Sequence, residues 1–473
     1  MNAIFFAIVL IAFLVTGYRE LIWTGPADQT APMQALGMAM IDSATSSVTL
    51  AIGLIGVMAL FLGLMKVAEA GGLLVIIAKT IRPLMVRLFP DVPPEHPAMG
   101  AMVLNLSANA LGLGNAATPF GIRAMQELDT INPHKGTASN AMVLFLAINT
   151  SSVTLLPTGV IALRAAAGSA DPAAIVPTTL FATICSTTLA IIAAKIYQRY
   201  SRVPADMPAE EAPEDDAIGA ALGIASAGPG ADDPLVAPAD LQSAEADFAH
   251  SAEAVTSAAK ADGAPDPQGE GTGAYPAWVS VLALGGIVAL IPLSVIYGRV
   301  ISPWIIPGIM IGLLGFGAAR KVRVYEVFVE GAKDGFLVAV RIIPYLVAIL
   351  VAVGMFRSSG ALDVMVAAIS PVTSLFGLPG EALPMALLRP LSGSGAYGVL
   401  ASIINDPAVG PDSYVGYLVS TFQGSTETTF YVIAVYFGAV QIKRIRHALW
   451  AGLTADVVGI AAAVFICSLL FVA

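Results

Sequence analysis

Apolar stretches long enough to cross a bilayer recur along almost the whole chain, and several carry a polar run at mid-length. A helix crossing a hydrocarbon core of about 30 Å needs roughly 20 apolar residues. The 473 residues are 57% hydrophobic and only 12% charged, with a mean hydropathy of +0.80, about half the charge of a soluble domain. This reads as an all-α polytopic membrane protein. Within that frame F-Q-G-S-T-E-T-T-F-Y at 422–431 needs a reason, because apolar sequence flanks it on both sides. An ionised carboxylate in hydrocarbon costs several kcal/mol unless it is paired, hydrated or neutralised. The run must therefore face protein or water.

The formal charge of −10 is not spread over the chain. Residues 201–275 hold 15 Asp/Glu against Arg202 and Lys260, and this −13 leaves +3 for the remainder. That segment is rich in Ala, Pro, Gly and acid, has too little apolar surface to offset its ordering entropy, and reads as a disordered acidic linker. It divides the chain into a membrane half at 1–200 and another at 276–473. Such acidity argues against nucleic acid as a partner. The two cysteines, Cys185 and Cys467, lie in apolar helices without metal-like spacing, and His96, His134, His250 and His447 are scattered. No metal, cofactor or catalytic group is expected, and the chain is not read as an enzyme. Residues 2–17 lack a basic leader and an A-x-A site, so they read as an uncleaved first helix.

The halves repeat each other in three landmarks. G-L-M-K-V-A-E-A-G-G-L at 63–73 matches G-M-F-R-S-S-G-A-L at 354–362, each followed by an amphipathic stretch. N-L-S-A-N-A-L-G-L-G-N-A-A-T-P at 105–119 matches L-R-P-L-S-G-S-G-A-Y-G at 388–398. F-L-A-I-N-T-S-S-V-T-L-L-P at 145–157 matches V-S-T-F-Q-G-S-T-E-T-T-F-Y at 419–431.

Positive charge gives orientation, since Lys and Arg concentrate on the cytoplasmic side. Lys195, Arg199 and Arg202 place the linker in the cytoplasm. Helices at 277–298 and 302–319 then go out and return, delivering Arg320, Lys321 and Arg323 inside. Helix 336–357 goes out, leaving the uncharged-by-cation segment 361–378 outside. Helix 412–440 returns to Lys443, Arg444 and Arg446, and 449–472 exits. The matching segment of half one carries Lys79, Arg82 and Arg87 and belongs inside. Equivalent elements thus face opposite sides, an inverted-topology repeat of the kind that builds midplane sites in secondary transporters. Arg19 and Arg357 break the pattern by falling outside. The N-terminus and linker are expected in the cytoplasm and the C-terminus outside, in a bacterial inner membrane with nine spans.

Segments 97–127 and 380–405 carry Gly, Asn, Ser and Pro at mid-length, with tips at L-G-L-G-N and P-L-S-G-S-G. Arms of 10–14 residues are too short to span, which suggests re-entrant hairpins, covered by protein or a watery cavity. G-S-G-A-Y-G at 393–398 matches G-x-G-x-x-G in form, but its flanks are membrane-apolar and no βαβ unit surrounds it. Helices 137–165 and 412–440 are expected to unwind at their polar centres, freeing backbone groups to replace a solute's hydration shell. The candidate substrate site takes Asn105, Asn109, Asn115, Thr118, Asn149, Thr150, Ser151 and Ser152 from half one. Half two adds Arg389, Ser392, Ser394, Gln423, Ser425, Thr426, Glu427 and Thr428. Against this stands the reading that these groups merely satisfy one another and fix the hairpins to the helices. Glu427 is also the candidate for a coupling ion, because desolvation would favour a neutral carboxyl able to exchange a proton.

Half one, through N-L-S-A-N-A-L-G-L-G-N-A-A-T-P-F-G at 105–121 and I-N-T-S-S-V-T-L-L-P at 148–157, resembles the spore maturation protein A family. Half two resembles spore maturation protein B through R-P-L-S-G-S-G at 389–395 and F-Q-G-S-T-E-T-T-F-Y at 422–431. The chain looks like a natural fusion of the two. Both are similar to the wider nucleoside-recognition or gate group, which resembles concentrative nucleoside transporters and the membrane portion of ferrous-iron transporters. The resemblance implies an interfacial helix, a re-entrant hairpin and an unwound transmembrane helix in each half. It does not imply nucleoside as substrate. In spore formers the pair is associated with dehydration of the spore core, a role that a fused chain need not share.

The expectation is a secondary transporter moving a small polar or charged organic solute by alternating access, coupled to H⁺ or Na⁺ or uncoupled. A membrane scaffold or solute receptor that retains the fold is the alternative, and a channel is a third. The expected partners are a small-molecule solute and the lipid bilayer, with homo-oligomerisation left open.

Overall fold

The computed structural model describes residues 2–25, 30–112, 114–201, 275–373 and 376–471. The acidic linker, from 202 to 274, lies outside the described residues. Half one runs α1 (Asn2–Leu21), α2 (Pro32–Ala70), α3 (Leu73–Leu88), α4 (Pro97–Ala110), α5 (Gly114–Thr130), α6 (Asn140–Thr150), α7 (Thr158–Ala166) and α8 (Val176–Tyr200). Half two runs α9 (Ala277–Ala319), α10 (Val324–Ser358), α11 (Ala361–Thr373), α12 (Leu383–Leu388), α13 (Gly393–Ile404), α14 (Tyr414–Ser425), α15 (Thr429–Gly438) and α16 (Ala448–Phe471). The protein is helical and its outer surface is apolar: Phe6, Ile52, Ile311 and Phe465 all point outward. Large apolar side chains survive on an outer surface where lipid takes the place of water, and this is a membrane protein. Among the described residues, Pro32–Ala70, Pro172–Tyr200 and Ala448–Phe471 are each long and apolar enough to cross a bilayer. Of the nine spans expected, two are divided into pairs of short helices.

One boundary differs from expectation. The helices anticipated at 277–298 and 302–319 form a single uninterrupted element, α9. Gly298 and Pro303 both fall within its bounds. A straight helix of this length would extend about 60 Å. Yet Tyr275 N, two residues before it, donates to Lys79 O at 3.3 Å, and Phe316 near its end packs on Gly71. Both ends sit beside the junction of α2 and α3, so the element doubles back on itself.

The longest contact is between α2 and α10, and glycine makes it close. A Cβ at Gly335 would lie 2.6 Å from Ala59 Cα, and one at Gly331 would lie 2.7 Å from Leu62 O. Further along, Ser47 Oγ reaches Leu346 O at 3.5 Å, and Gly354 abuts Ser43. Residue numbers fall on α10 as they rise on α2, so the two helices run antiparallel. Their C-terminal ends share one device. Gly72 (φ 83°) and Gly360 (φ 78°) take the left-handed conformation that glycine adopts without a Cβ clash, turning the chain into α3 and α11. These are the two amphipathic segments expected from sequence.

The cores do not respect the division of the chain. One apolar cluster joins Met99, Met142 and Phe145 to Ile433, Phe437 and Ala451. Another joins Phe61, Ile161 and Leu163 to Leu346, Leu400 and Phe422. Helices α8 and α16 also pair antiparallel, with Ser186 Oγ donating to Ala455 O at 2.7 Å and Phe181 lying against Phe465. The two arginines that break the charge pattern meet at one end of the molecule. Arg19 donates to Ser359 O at 2.9 Å, and Arg357 pairs with Asp406.

Because α2 and α10 touch backbone to backbone, a bulky side chain at Gly335 has nowhere to go. Gly335→Leu is expected to cost about 1–3 kcal/mol by overpacking, read as a lower melting temperature of the purified protein. Gly312→Leu on α9, where a Cβ would meet nothing within 4 Å, should leave the melt unchanged.

Candidate functional site

Helix α6 begins at the Ser139 cap, whose Oγ accepts from Met142 N at 3.2 Å. Helix α14 begins at Ser413, whose Oγ accepts from Gly416 N at 2.9 Å. Both end eleven or twelve residues on in hydroxyl-rich sequence. Thr150 Oγ1 and Ser151 Oγ donate back to Ala147 O at 3.0 and 2.9 Å. Ser425 Oγ and Thr426 Oγ1 donate to Phe422 O, each at 3.4 Å. Hydroxyls that compete for helix carbonyls weaken the next turn, and the backbone leaves the helix at Ser151 and again at Thr426, which is extended (φ −133°, ψ 158°). Helices resume at α7 and α15. The interruptions expected at 137–165 and 412–440 are both present.

The two breaks touch. Glu427 N donates to Thr150 O at 2.9 Å, a backbone bond from one half of the chain to the other. Each break is also tied to the helix pair of its own half. Leu155 N donates to Ala110 O at 2.9 Å at the end of α4, and Phe430 N donates to Pro390 O at 3.2 Å between α12 and α13. Between α4 and α5 the turn passes through Gly112 (φ 77°), where a Cβ would strike Leu156 O.

Side chains reinforce these ties differently in the two halves. In half one Asn109 Nδ2 donates to Asn149 Oδ1 at 3.0 Å, and Asn105 Nδ2 donates to Ala117 O at 2.7 Å. In half two Arg389, 4% exposed, donates to Thr428 Oγ1 at 3.1 Å, to Gln423 O at 3.2 Å and to Thr426 O. Its Nη2 lies 3.6 Å from Glu427 Oε2. The Glu427 side chain is 45% exposed, whereas its neighbours at the break are buried. Ser152, Gln423, Ser425, Thr426 and Thr428 are buried around it. Ser392 caps α13, accepting from Gly395 N at 3.0 Å, and so serves the helix rather than the junction. Thr118 is half-buried on α5 next to Ala117. The side chains of Asn115 and Ser394 lie outside the described residues.

Two buried residues that the sequence reading did not name complete the junction, and a third joins the halves away from it. Tyr436 on α15 accepts from Asn105 Nδ2 at 3.2 Å and donates to Asn149 Oδ1 at 3.4 Å, joining the halves a second time. Asp456 on α16 accepts from Thr429 Oγ1 at 2.7 Å. Arg164, wholly buried at the far end of α7, donates to Pro411 O at 2.6 Å and pairs with Asp412 at 2.9 Å. A signal existed for Asp456: it is the one charged residue of an apolar helix, and a membrane-embedded charge marks a functional position by default. Nothing in local sequence distinguishes Tyr436 from its aromatic neighbours. An open groove of about 530 Å³ beside Tyr197, Arg446, His447 and Trp450 lies roughly 15 Å along α8 from the breaks. It takes no part in the junction. There burial and the Arg446 cation hold His447 down at about 4, so its ring is neutral.

A family model described as nucleoside recognition matches residues 51–167 and 339–443, which end just beyond α7 and α15. Over 166 residues the chain is 51% identical to spore maturation protein B of Bacillus subtilis, covering 35% of this chain and 92% of that protein. Over 160 residues it is 48% identical to spore maturation protein A of the same organism, covering 34% of this chain and 82% of that one. Inner membrane protein YjiG of Escherichia coli is 37% identical over 84 residues, 18% of this chain and 55% of its own length. No solved structure gives a significant match.

The Tyr436 hydroxyl is the one atom shared by the amides of both α4 and α6. Tyr436→Phe is expected to cost about 1–3 kcal/mol by leaving them under-satisfied. Arg389→Met, which strips a charged donor from two carbonyls and a hydroxyl, should cost more. Thermal melts of the purified variants test the order, and a wild-type melt for Tyr436→Phe would remove that hydroxyl from the junction's support.

Proposed function

The chain belongs to the spore maturation protein family, joining its A and B members in one polypeptide, and on that premise we propose that it is a secondary transporter of a small polar solute. The observation that carries the reading is the Glu427 N–Thr150 O bond, where two opened helices from different halves meet inside a membrane protein. Opened backbone survives at such depth where protein covers it or a cavity wets it, and midplane sites of transporters are built this way. Two acceptors at the junction, Asn105 Oδ1 and Gln423 Oε1, are buried without a hydrogen-bond partner. Acceptors left bare suit a solute that brings N–H or O–H donors, while Arg389 and the half-exposed Glu427 offer a charge of either sign.

The halves are read as an inverted repeat. Its support is the antiparallel pairing of α2 with α10 and of α8 with α16, and the single family model that covers the matching stretch of each half. In this reading α4–α5 and α12–α13 are re-entrant hairpins entering from opposite faces of a bacterial inner membrane, with α3 cytoplasmic and α11 outside. Alternating access would move the hairpins and broken helices against α2, α10 and the outer helices. A receptor is the second reading. It is favoured by the Asn105–Tyr436–Asn149–Asn109 chain, in which many of the polar groups already satisfy one another.

Two experiments test this. In a background without Cys185 and Cys467, cysteines at Leu84 and Val364, both exposed, should react with membrane-impermeant reagent from opposite sides; reaction from the same side ends the inverted arrangement. A solute library screened for thermal stabilisation, then counterflow in liposomes, should yield flux that Asn149→Ala and Glu427→Gln reduce. Binding without flux would leave the receptor.

A further inference from the structure

The half-exposed Glu427 is not the only acid at the junction, and the other one is built into it. Asp456, Gly452 and Gly459 share one face of α16, at the i, i+4, i+7 spacing of a single helix stripe. Both glycines let the breaks close directly onto the helix. A Cβ at Gly452 would lie 2.6 Å from Thr429 Cγ2 and 3.7 Å from Thr150 Oγ1, and one at Gly459 would lie 2.6 Å from Thr426 Cγ2. Asp456 therefore sits between two points of contact with the second break, the first of which also lies near Thr150 of the other break, and is 2% exposed.

Its hydrogen bonding is incomplete. Oδ2 accepts from Thr429 Oγ1, while Oδ1 is buried without a partner. The groups set against this face from α6, α8 and α15 are hydroxyls, those of Thr150, Ser186 and Thr429. The charged group whose field reaches it is Arg389, and that guanidinium is engaged by Gln423, Thr426, Thr428 and Glu427 rather than by Asp456. A carboxylate so placed, with one oxygen bare and no cation in contact, is the group most relieved by gaining a proton. The bond from Thr429 does not itself require an acid, since an asparagine oxygen would accept it equally well. What an acid adds is the ability to change charge.

We infer that Asp456 is a proton-binding site coupled to the opening and closing of the two breaks. Uptake adds one proton to Oδ1 and discharges the carboxylate; release returns that proton to water. Because Thr426 and Thr429 lie over the α16 face on which Asp456 stands, water reaches it only when the start of α15 lifts away, so protonation and movement of the broken helix are one event. This inference rests on the transporter reading and names its coupling ion.

Infrared difference spectra of the full-length protein, acid minus alkaline, provide the test. One component of the protonated-carboxyl absorption should be present in the wild type, persist in Glu427→Gln, be missing from Asp456→Asn, and shift in Thr429→Val, which removes the donor to Oδ2. Spectra of Asp456→Asn or Thr429→Val identical to wild type overturn the assignment, as does loss of that component in Glu427→Gln. Should Asp456→Asn fail to fold, the Thr429→Val shift decides alone. Once a transported solute is known, accumulation driven by a pH gradient should be lost in Asp456→Asn. Gradient-driven accumulation that persists there defeats this inference and spares the transporter reading, whereas the Asp456 component with no flux of any solute does the reverse.

Discussion

A helix opened at mid-length inside a membrane protein releases N–H and C=O groups that lipid cannot satisfy, and each one left bare costs several kcal/mol. Meeting that demand organises the rest of the structure. Neither break satisfies itself. Thr150 O takes its donor from Glu427 N in the other half, and Leu155 N and Phe430 N find acceptors at the ends of α4 and α12. The breaks, the helix pairs beneath them and the opposite half of the chain therefore have to be assembled together.

The interleaved cores follow from the same demand. If the breaks must meet, each broken helix must pass the other, and apolar residues from 1–200 and 276–473 end up in common clusters rather than in two separate ones. Glycine permits the closeness: Gly331, Gly335 and Gly354 bring α10 onto α2, and Gly452 and Gly459 bring α16 onto both breaks. Small residues at helix contacts are what association in lipid relies on, where packing replaces hydrophobic burial. The two breaks are braced by different chemistry. Half one braces its break with neutral amides, Asn109 to Asn149, and half two with a cation, Arg389 to Gln423, Thr426 and Thr428. A solute at the junction would thus meet two unlike walls.

Several features are legible in the sequence because they rest on local chemistry. The interruptions at 151–157 and 426–428 follow from runs of hydroxyls that compete for the preceding carbonyls, with Pro157 unable to donate. The glycines that follow α2 and α10, Gly72 and Gly360, stand at matching places in the stretches 63–73 and 354–362. The turn within α9 was legible as a change of direction but not as an uninterrupted element, since Gly298 and Pro303 signal a bend and a stop with the same letters. Tyr436 was not legible at all. Its hydroxyl matters because Asn105 and Asn149 lie beside it, and they are 331 and 287 residues away in the chain.

By itself, then, the sequence settled the class of molecule and the places where helices open, because hydropathy and hydroxyl competition act within a few residues. Only the tertiary structure decided which opened groups meet, that Glu427 stays half-exposed and that Asp456 is buried against Thr429 at the start of α15. Exposure and hydrogen-bond pairing at this junction depend on segments separated by the whole linker, and no local pattern carries that distance.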